Sequence, residues 1–396
     1  MGSMKLLTQS PTEPNFVQNP YAFYEKIRQQ GPLVYWEDYA MPCAISHELV
    51  SSIFRDRRFG REVPPEQAKA HPPHLEAFYR IEAHSMLELE PPRHTRLRSL
   101  VLRAFTTRRI KALSGDITSL CHEQIDAFPD EPFDLMHAMA APLPVRVICR
   151  LLGVPEEMGP QLLGWSNAMV SMYQARRTPE IESAAATASQ EFSDYIRSYI
   201  DERRKTPSDD LLSELIAAEE AGERLSTDEL ITTCILLLNA GHEATVHSFG
   251  NGVKTLLEYN TPASAFAPDA IDKTVEEIFR YDPPLHMFTR YAYETIDIAG
   301  HRFQRGDEVA LLLGAANRDP AVWKDPAVFD PTRCIQTNTS FGGGLHFCVG
   351  APLARLELSI ALPILFDACP GLHIVEPPQY ANVYHFHGLE RLMVSR

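Results

Sequence analysis

The chain has 396 residues, 44% of them hydrophobic, and 37 Lys or Arg against 52 Asp or Glu give a formal charge of -15. That length buries a large core, and the acidic balance excludes a general nucleic-acid binder. The seven cysteines are odd in number, widely spread and free of any CxxC pair, which excludes a zinc knuckle or disulfide framework and suits a reducing cytoplasm.

Met1–Ser3 look like an expression scar ahead of Met4. The residues that follow hold no apolar run long enough for a signal peptide or anchor. A short helix is predicted where "NPYAFYEKIRQQG" opens on Asn-Pro and stops at glycine, and another over "SHELVSSIFRDRRFG" with Ser46 as cap. Residues 60–85 carry four prolines without sustained periodicity and read as a long loop, a length that tends to be functional. Helical patterns resume at "PPRHTRLRSLVLRAF" and continue over 108–127, 134–152, 156–172 and 181–204. Ser226 or Thr227 caps a long helix running to about residue 257. Its most apolar part, 230–241, is about twelve residues, short of the roughly twenty a membrane span needs. A helix over "PDAIDKTVEEIFRYDPP" ends in prolines. Alternating segments then turn at Gly300 and Gly306, and short strands close the chain around 372–396. The expectation is one soluble, helix-rich domain over 1–396 with a smaller β portion.

Chemistry concentrates in "FGGGLHFCVG", residues 341–350. Cys348 stands at the mouth of the helix that follows, where outward N–H groups lower a thiol's pKa and favour the thiolate. Three readings are open. A plain buried cysteine has no need of three consecutive glycines. A nucleophile needs a base, which His346 could supply, and an oxyanion site, yet Phe341 and Phe347 make the setting apolar. An axial ligand gains N–H donors from the turn, and the glycines let backbone lie flat against a large planar partner. The local chemistry favours the third reading without establishing it.

The same stretch resembles the haem-binding loop of the cytochromes P450, F-G-x-G-x-H-x-C-x-G, and that family's other landmarks appear in order. "PPRHTRLR" is similar to its H-x-x-x-R helix, "AGHEAT" to its oxygen-binding helix, and "EEIFR" supplies E-x-x-R at Glu277 and Arg280. "AANRDPAVWKDPAVFDPTR" looks like the segment bringing Arg333 onto that pair. The likeness runs from about residue 15 to the end. It implies a mainly α fold, a triangular helix-rich prism with small β-sheets. Haem b would lie between the oxygen-binding helix and the helix after the cysteine loop.

On this resemblance Cys348 is the axial thiolate, which pushes electron density onto iron and favours O–O cleavage. His94, Arg98, Arg290 and His346 are donors to the two propionates. Ala240, Gly241, Phe341, Gly342 and Gly350 lie against the cofactor. Glu277, Arg280 and Arg333 form a buried ion network supporting the cysteine loop. The implied reaction is reductive O2 activation with insertion of one oxygen atom into substrate, by hydroxylation or epoxidation.

The sequence departs from the family at one point. An acid followed by threonine is usual, whereas this chain has Glu243, then Ala244, with Thr245 one residue late and about 100° further round the helix. Proton delivery then falls to Glu243 with either a substrate hydroxyl or waters held by Glu243 and Thr245. Position suggests pocket walls at Phe78, Tyr79, Met86, Met169, Met172, Tyr173, Asn239, Leu285, His286, Met287, Phe288, Phe386, His387 and Leu389. Their aromatic and Met side chains suit a bulky, medium-sized organic substrate, and Asn239, His286 and His387 hint at an oxygenated, natural-product-like one.

Between Pro91 and Gly115 stand seven Lys or Arg and no acid. Of these Arg103, Arg108, Arg109 and Lys111 are read as a docking face for an acidic electron donor, against the plainer reading of a solvated basic helix. The implied donor is a soluble ferredoxin with its reductase, serving a cytoplasmic monomer. Rival readings are a peroxide-driven enzyme, a haem-based sensor without turnover, and a non-hydroxylating oxidation such as C–C coupling.

Overall fold

A computed structural model describes residues 4–173, 177–220 and 222–396. Ser46 caps helix His47–Arg55 by accepting the Leu49 N–H, and Ser226 closes a capping box with Glu229 at the head of Thr227–Glu258. That 32-residue helix is buried along most of its length, with Pro142–Leu152 and Pro179–Lys205 packed across it. Helix Ala351–Ala368 lies against Ser114–Asp126 and Ile271–Tyr281, and also touches the long helix.

Several boundaries differ from the sequence reading. Residues 60–85 are not all loop: Glu76–Glu82 is helical and buries Phe78 and Ile81, three apart on one face. A single apolar pair after four prolines is too short a pattern to see in advance. The 108–127 stretch is two helices, Thr107–Ala112 and Ser114–Asp126, because Thr106 caps the first and the chain restarts at Leu113. In 134–152 a π-turn at Met136–Ala140 precedes Pro142–Leu152, where Pro142 starts a helix that it could not continue.

The β portion also recruits the N-terminus. Leu33–Trp36 and Met41–Ala44 form a hairpin whose second strand pairs in parallel with Glu308–Leu312. The six-stranded sheet runs Leu6–Leu7, Leu33–Trp36, Met41–Ala44, Glu308–Leu312, Met287–Ala292, Phe59–Gly60. Arg290 lies within it, on the strand antiparallel to Glu308–Leu312.

Candidate active site

The loop holding Cys348 is shaped by its glycines. Gly342 and Gly344 have φ of +68° and +64°, a region that penalises any side chain. A Cβ on Gly344 would stand 2.0 Å from the Phe54 carbonyl oxygen. These glycines thus serve the turn and its seat on helix His47–Arg55, a nearer cause than a flat approach to a planar partner. The Cys348 N–H donates to the Phe341 carbonyl at 3.0 Å and closes the loop. Phe341 packs edge-on to Phe279, with centroids 4.7 Å apart, and lies under Arg355 at 4.5 Å.

Cys348 keeps accessible surface although protein surrounds it on almost every side, so its open side faces an internal space. Burial pushes the thiol above its ordinary pKa. The N–H groups of Gly350 and Ala351 and the Arg98 and Arg355 cations pull it back only in part. The helix-mouth donors expected from the sequence are present, but burial outweighs them.

Basic groups gather beside the loop. Arg98 donates to the Phe347 carbonyl at 2.7 Å, and the His94 and His346 rings are 4.4 Å apart. His94 is buried, its Nδ1 has no partner, and burial with the neighbouring His346 lowers its pKa to about 4. Arg290 is 3% exposed and donates only to its neighbour's carbonyl, Thr289 O, with the Phe54 ring 5.0 Å below. Burial, then the Arg61 charge, lowers its pKa to about 9, as befits a cation with no carboxylate in hydrogen-bond reach among the described residues. A soft sulfur facing an internal space and under-compensated cationic donors match a planar iron porphyrin bearing two carboxylates. The residues present fit haem.

Glu90 was not foreseen. Its Oε1 lies 2.8 Å from His346 Nε2 and accepts the Arg61 N–H at 2.7 Å, while its carbonyl accepts the His94 N–H. The acid just before the Pro-Pro of "LEPPRH" was its only signal.

The ion network forms as expected. Arg280 reaches both Glu277 oxygens at 2.7 and 2.6 Å, and Arg333 Nε donates to Glu277 Oε1 at 3.1 Å. The two arginines also donate to carbonyls of Pro326, Val328 and Lys324, tying that segment to helix Ile271–Tyr281. A second tether holds the entry to the cysteine loop: Asn317 donates to Ser340 Oγ at 2.8 Å, and Ser340 Oγ to Phe279 O at 2.6 Å.

On the long helix, a Cβ on Gly241 would meet Ile148 at 3.0 Å, while Ala240 is exposed. Thr245 is buried and its hydroxyl donates back to Gly241 O at 3.0 Å, so it is engaged within the helix. Glu243 lies between two imidazoles, His242 Nε2 at 3.6 Å and His247 Nε2 at 3.4 Å. Burial raises the Glu243 pKa, but His247 and His242 more than offset it and hold the carboxyl below its ordinary value. His242 Nδ1 faces the Leu238 carbonyl at 2.9 Å and must donate there.

The proposed pocket walls divide. Phe78, Met169, Met172, Met287 and Leu389 are buried in core packing. His286 and His387 are turned away from the cysteine loop into a cluster with Asp282, Tyr21 and Tyr24. Residues 174–176, within the region read as a wall, lie outside the described residues. Tyr79, Met86, Tyr173, Asn239, Leu285, Phe288 and Phe386 keep surface. Tyr173 donates to both oxygens of Glu82 at 3.0 Å; burial, then the Glu88 charge, pushes Glu82 up to about 8. Arg61 pairs with Glu88, and Asn239 Nδ2 faces Met169 Sδ at 3.8 Å.

The basic run is not one free face. Arg109 pairs with Asp209 at 3.0 Å and Glu214 at 3.2 Å, and Arg96 with Glu229. Arg103, Arg108 and Lys111 are exposed.

With this geometry in hand, comparison with known proteins is direct. Residues 270–369 match the family model for cytochrome P450. The chain is 35% identical to the polyketide biosynthesis cytochrome P450 PksS of Bacillus subtilis (strain 168), covering 99% of each chain. It is 36% identical to the cytochrome P450 monooxygenase PikC of Streptomyces venezuelae, over 92% of this chain and 87% of that one. The crystal structure of P450BioI with a hexadec-9Z-enoic acid-ligated acyl carrier protein superposes with a TM-score of 0.90, 33% identity and coverage of 96% and 99%. The chain belongs to the cytochrome P450 family and has its bacterial-type fold. It is an enzyme of the cytochrome P450 monooxygenase class. No helix among the described residues is long and apolar enough to cross a membrane.

Proposed function

We propose that this enzyme binds haem b through the Cys348 thiolate and inserts one oxygen atom from O2 into an oxygenated, natural-product-like substrate. The observation that carries the cofactor reading is Arg290, a buried cation with no carboxylate in hydrogen-bond reach among the described residues, together with the buried His94, whose Nδ1 has no hydrogen-bond partner among them. When bound, the haem supplies oxygen activation; the chain's own residues hold it, shape the pocket and move protons. His94, Arg98, Arg290 and His346 would take the propionates. Glu243, held ionised between His242 and His247, accepts a proton from the solvent side. The last transfer falls to water or a substrate hydroxyl, because Ala244 has no hydroxyl and that of Thr245 is bonded to Gly241.

The substrate reading is supported by one relative named for polyketide biosynthesis and by the polar pair Glu82 and Tyr173, enclosed by protein yet retaining accessible surface. Electrons come from a separate soluble ferredoxin and its reductase, docking on a face that includes Arg103, Arg108 and Lys111. The test is the visible spectrum of dithionite-reduced protein under carbon monoxide, where a Soret band near ~450 nm marks thiolate-ligated haem. A band near ~420 nm in fresh, ligand-bound protein would remove Cys348 as the thiolate ligand. Turnover with ferredoxin and NADPH against turnover with peroxide alone decides the electron source.

A further inference from the structure

Away from the cysteine loop, three metal-binding side chains meet in the core. Asp282 ends helix Ile271–Tyr281, His286 follows in the turn leading to strand Met287–Ala292, and His387 comes from the C-terminal loop. One ligand atom from each lies within 4.8 Å of the others. Exposures of 4%, 0% and 2% exclude bulk water.

Hydrogen bonding leaves the cluster incomplete. His286 Nδ1 is 2.8 Å from the Tyr24 hydroxyl, which is 2.6 Å from that of Tyr384. Whichever way the Tyr24 proton points, His286 Nε2 and His387 Nε2 have no partner of hydrogen-bond geometry among the described residues. His387 Nε2 is 3.4 Å from Asp282 Oδ1 without hydrogen-bond geometry. Asp282 in turn accepts from Tyr21 at 2.6 Å and from Tyr380. Two orphaned imidazole nitrogens beside a carboxylate are costly in a protein interior, and both are relieved by one cation. A Tyr24 oxygen accepting from Nδ1–H would also fix the tautomer that frees Nε2 as a ligand, the usual support for a metal-bound histidine. The nearby cations are engaged elsewhere: Arg318 donates to Tyr281 O at 2.9 and 2.7 Å, and Lys254 pairs with Glu258 at 2.8 Å.

We propose that Asp282, His286 and His387 bind a second metal, a divalent ion of the zinc class. Two imidazoles and one carboxylate suit zinc among the common divalent ions. The ligand atoms would draw together to about 3.3 Å, the spacing set by metal–ligand distances of about 2.0–2.1 Å. Three protein ligands leave a fourth position for one water. Full burial makes the role structural: the ion clamps the turn at 282–286 to the C-terminal loop, where Leu285 pairs with Phe386. Both were read from sequence as pocket wall, so the clamp would set that wall's shape.

The test uses the haem-loaded enzyme, incubated with zinc chloride in about fivefold excess and desalted. Zinc is counted by mass spectrometry and haem by its pyridine complex. About one zinc per chain is expected in the wild type, falling at least about tenfold in His286→Ala and in His387→Ala with haem content unchanged. A strong chelator should lower the thermal midpoint of the wild type and leave both variants unmoved. Wild type holding less than about 0.1 zinc per chain overturns the site without reference to any variant. Zinc retained by both variants overturns it as well. Should the alanine variants not fold, Asp282→Asn, which keeps the side chain's size, should still weaken zinc binding, and unchanged binding there refutes the ligand set.

Discussion

Glu357 makes a quantitative prediction. It sits on helix Ala351–Ala368, 1% exposed, and neither carboxylate oxygen has a protein partner. Burial alone pushes its pKa from 4.5 up to about 8. The folded protein therefore holds this proton more tightly than the unfolded chain. The contribution is fully present below about pH 4.5 and is lost as pH rises to about 8. A shift of about 3.5 units at 1.36 kcal/mol each makes the loss about 5 kcal/mol across that window, and about 3 kcal/mol by pH 7. Glu357→Gln keeps the shape and removes the ionisation. Thermal midpoints of the haem-loaded wild type and variant, taken from pH 5 to pH 8.5, should diverge steadily, with the variant the more stable at the alkaline end. Glu82, also near 8, titrates in both proteins and cancels in the difference. Parallel curves would show that Glu357 finds a charge partner or solvent in solution, and the burial argument would fall.

Breaking the buried network by Glu277→Gln should cost about 3–5 kcal/mol, since it strands the buried Arg280 cation, and should appear as haem loss in the ratio of Soret to protein absorbance, whereas Arg333→Ala leaves the Arg280–Glu277 pair intact and should cost less. Gly344→Ala should prevent stable loop formation at a cost of about 3 kcal/mol or more, because the clash is with the Phe54 backbone; soluble yield and haem content report it. Thr245→Ala should leave product formed per NADPH unchanged, costing only about 1 kcal/mol of stability for one helix hydrogen bond. Glu243→Gln should slow product formation by about 10²-fold or more in the same assay.

The cysteine loop, the Glu277–Arg280 pair and the altered helix motif were legible because each is a short motif that resembles the family's, whereas Arg333, 56 residues from Glu277, came from the resemblance alone. Thr245 shows how far such reasoning reaches: one residue of offset on a helix predicts a hydroxyl turned elsewhere, and the structure places it on Gly241 O. His286 and His387 show where it stops. They lie in irregular segments without a helical or strand period, so nothing in the sequence tells which way their rings face. The hairpin Leu33–Trp36 and Met41–Ala44 joins Glu308–Leu312 across more than half the chain, a pairing with no local trace. The same is true of Asn317 on Ser340 and His346 on Glu90, polar ties whose partners only the fold brings together.

The departure from the family pattern fits the proposed substrate reading. The long helix offers no hydroxyl of its own, since Ala244 lacks one and Thr245 is engaged. Elsewhere, three polar features are enclosed by protein: Glu82 on Tyr173, Arg61 on Glu88, and His385, whose pKa burial lowers to about 4. A ligand with its own oxygens can bring the missing hydroxyl to the helix. An alcohol-poor helix thus supports the proposed oxygenated substrate, which would itself carry the hydroxyl that Ala244 lacks and Thr245 keeps on Gly241.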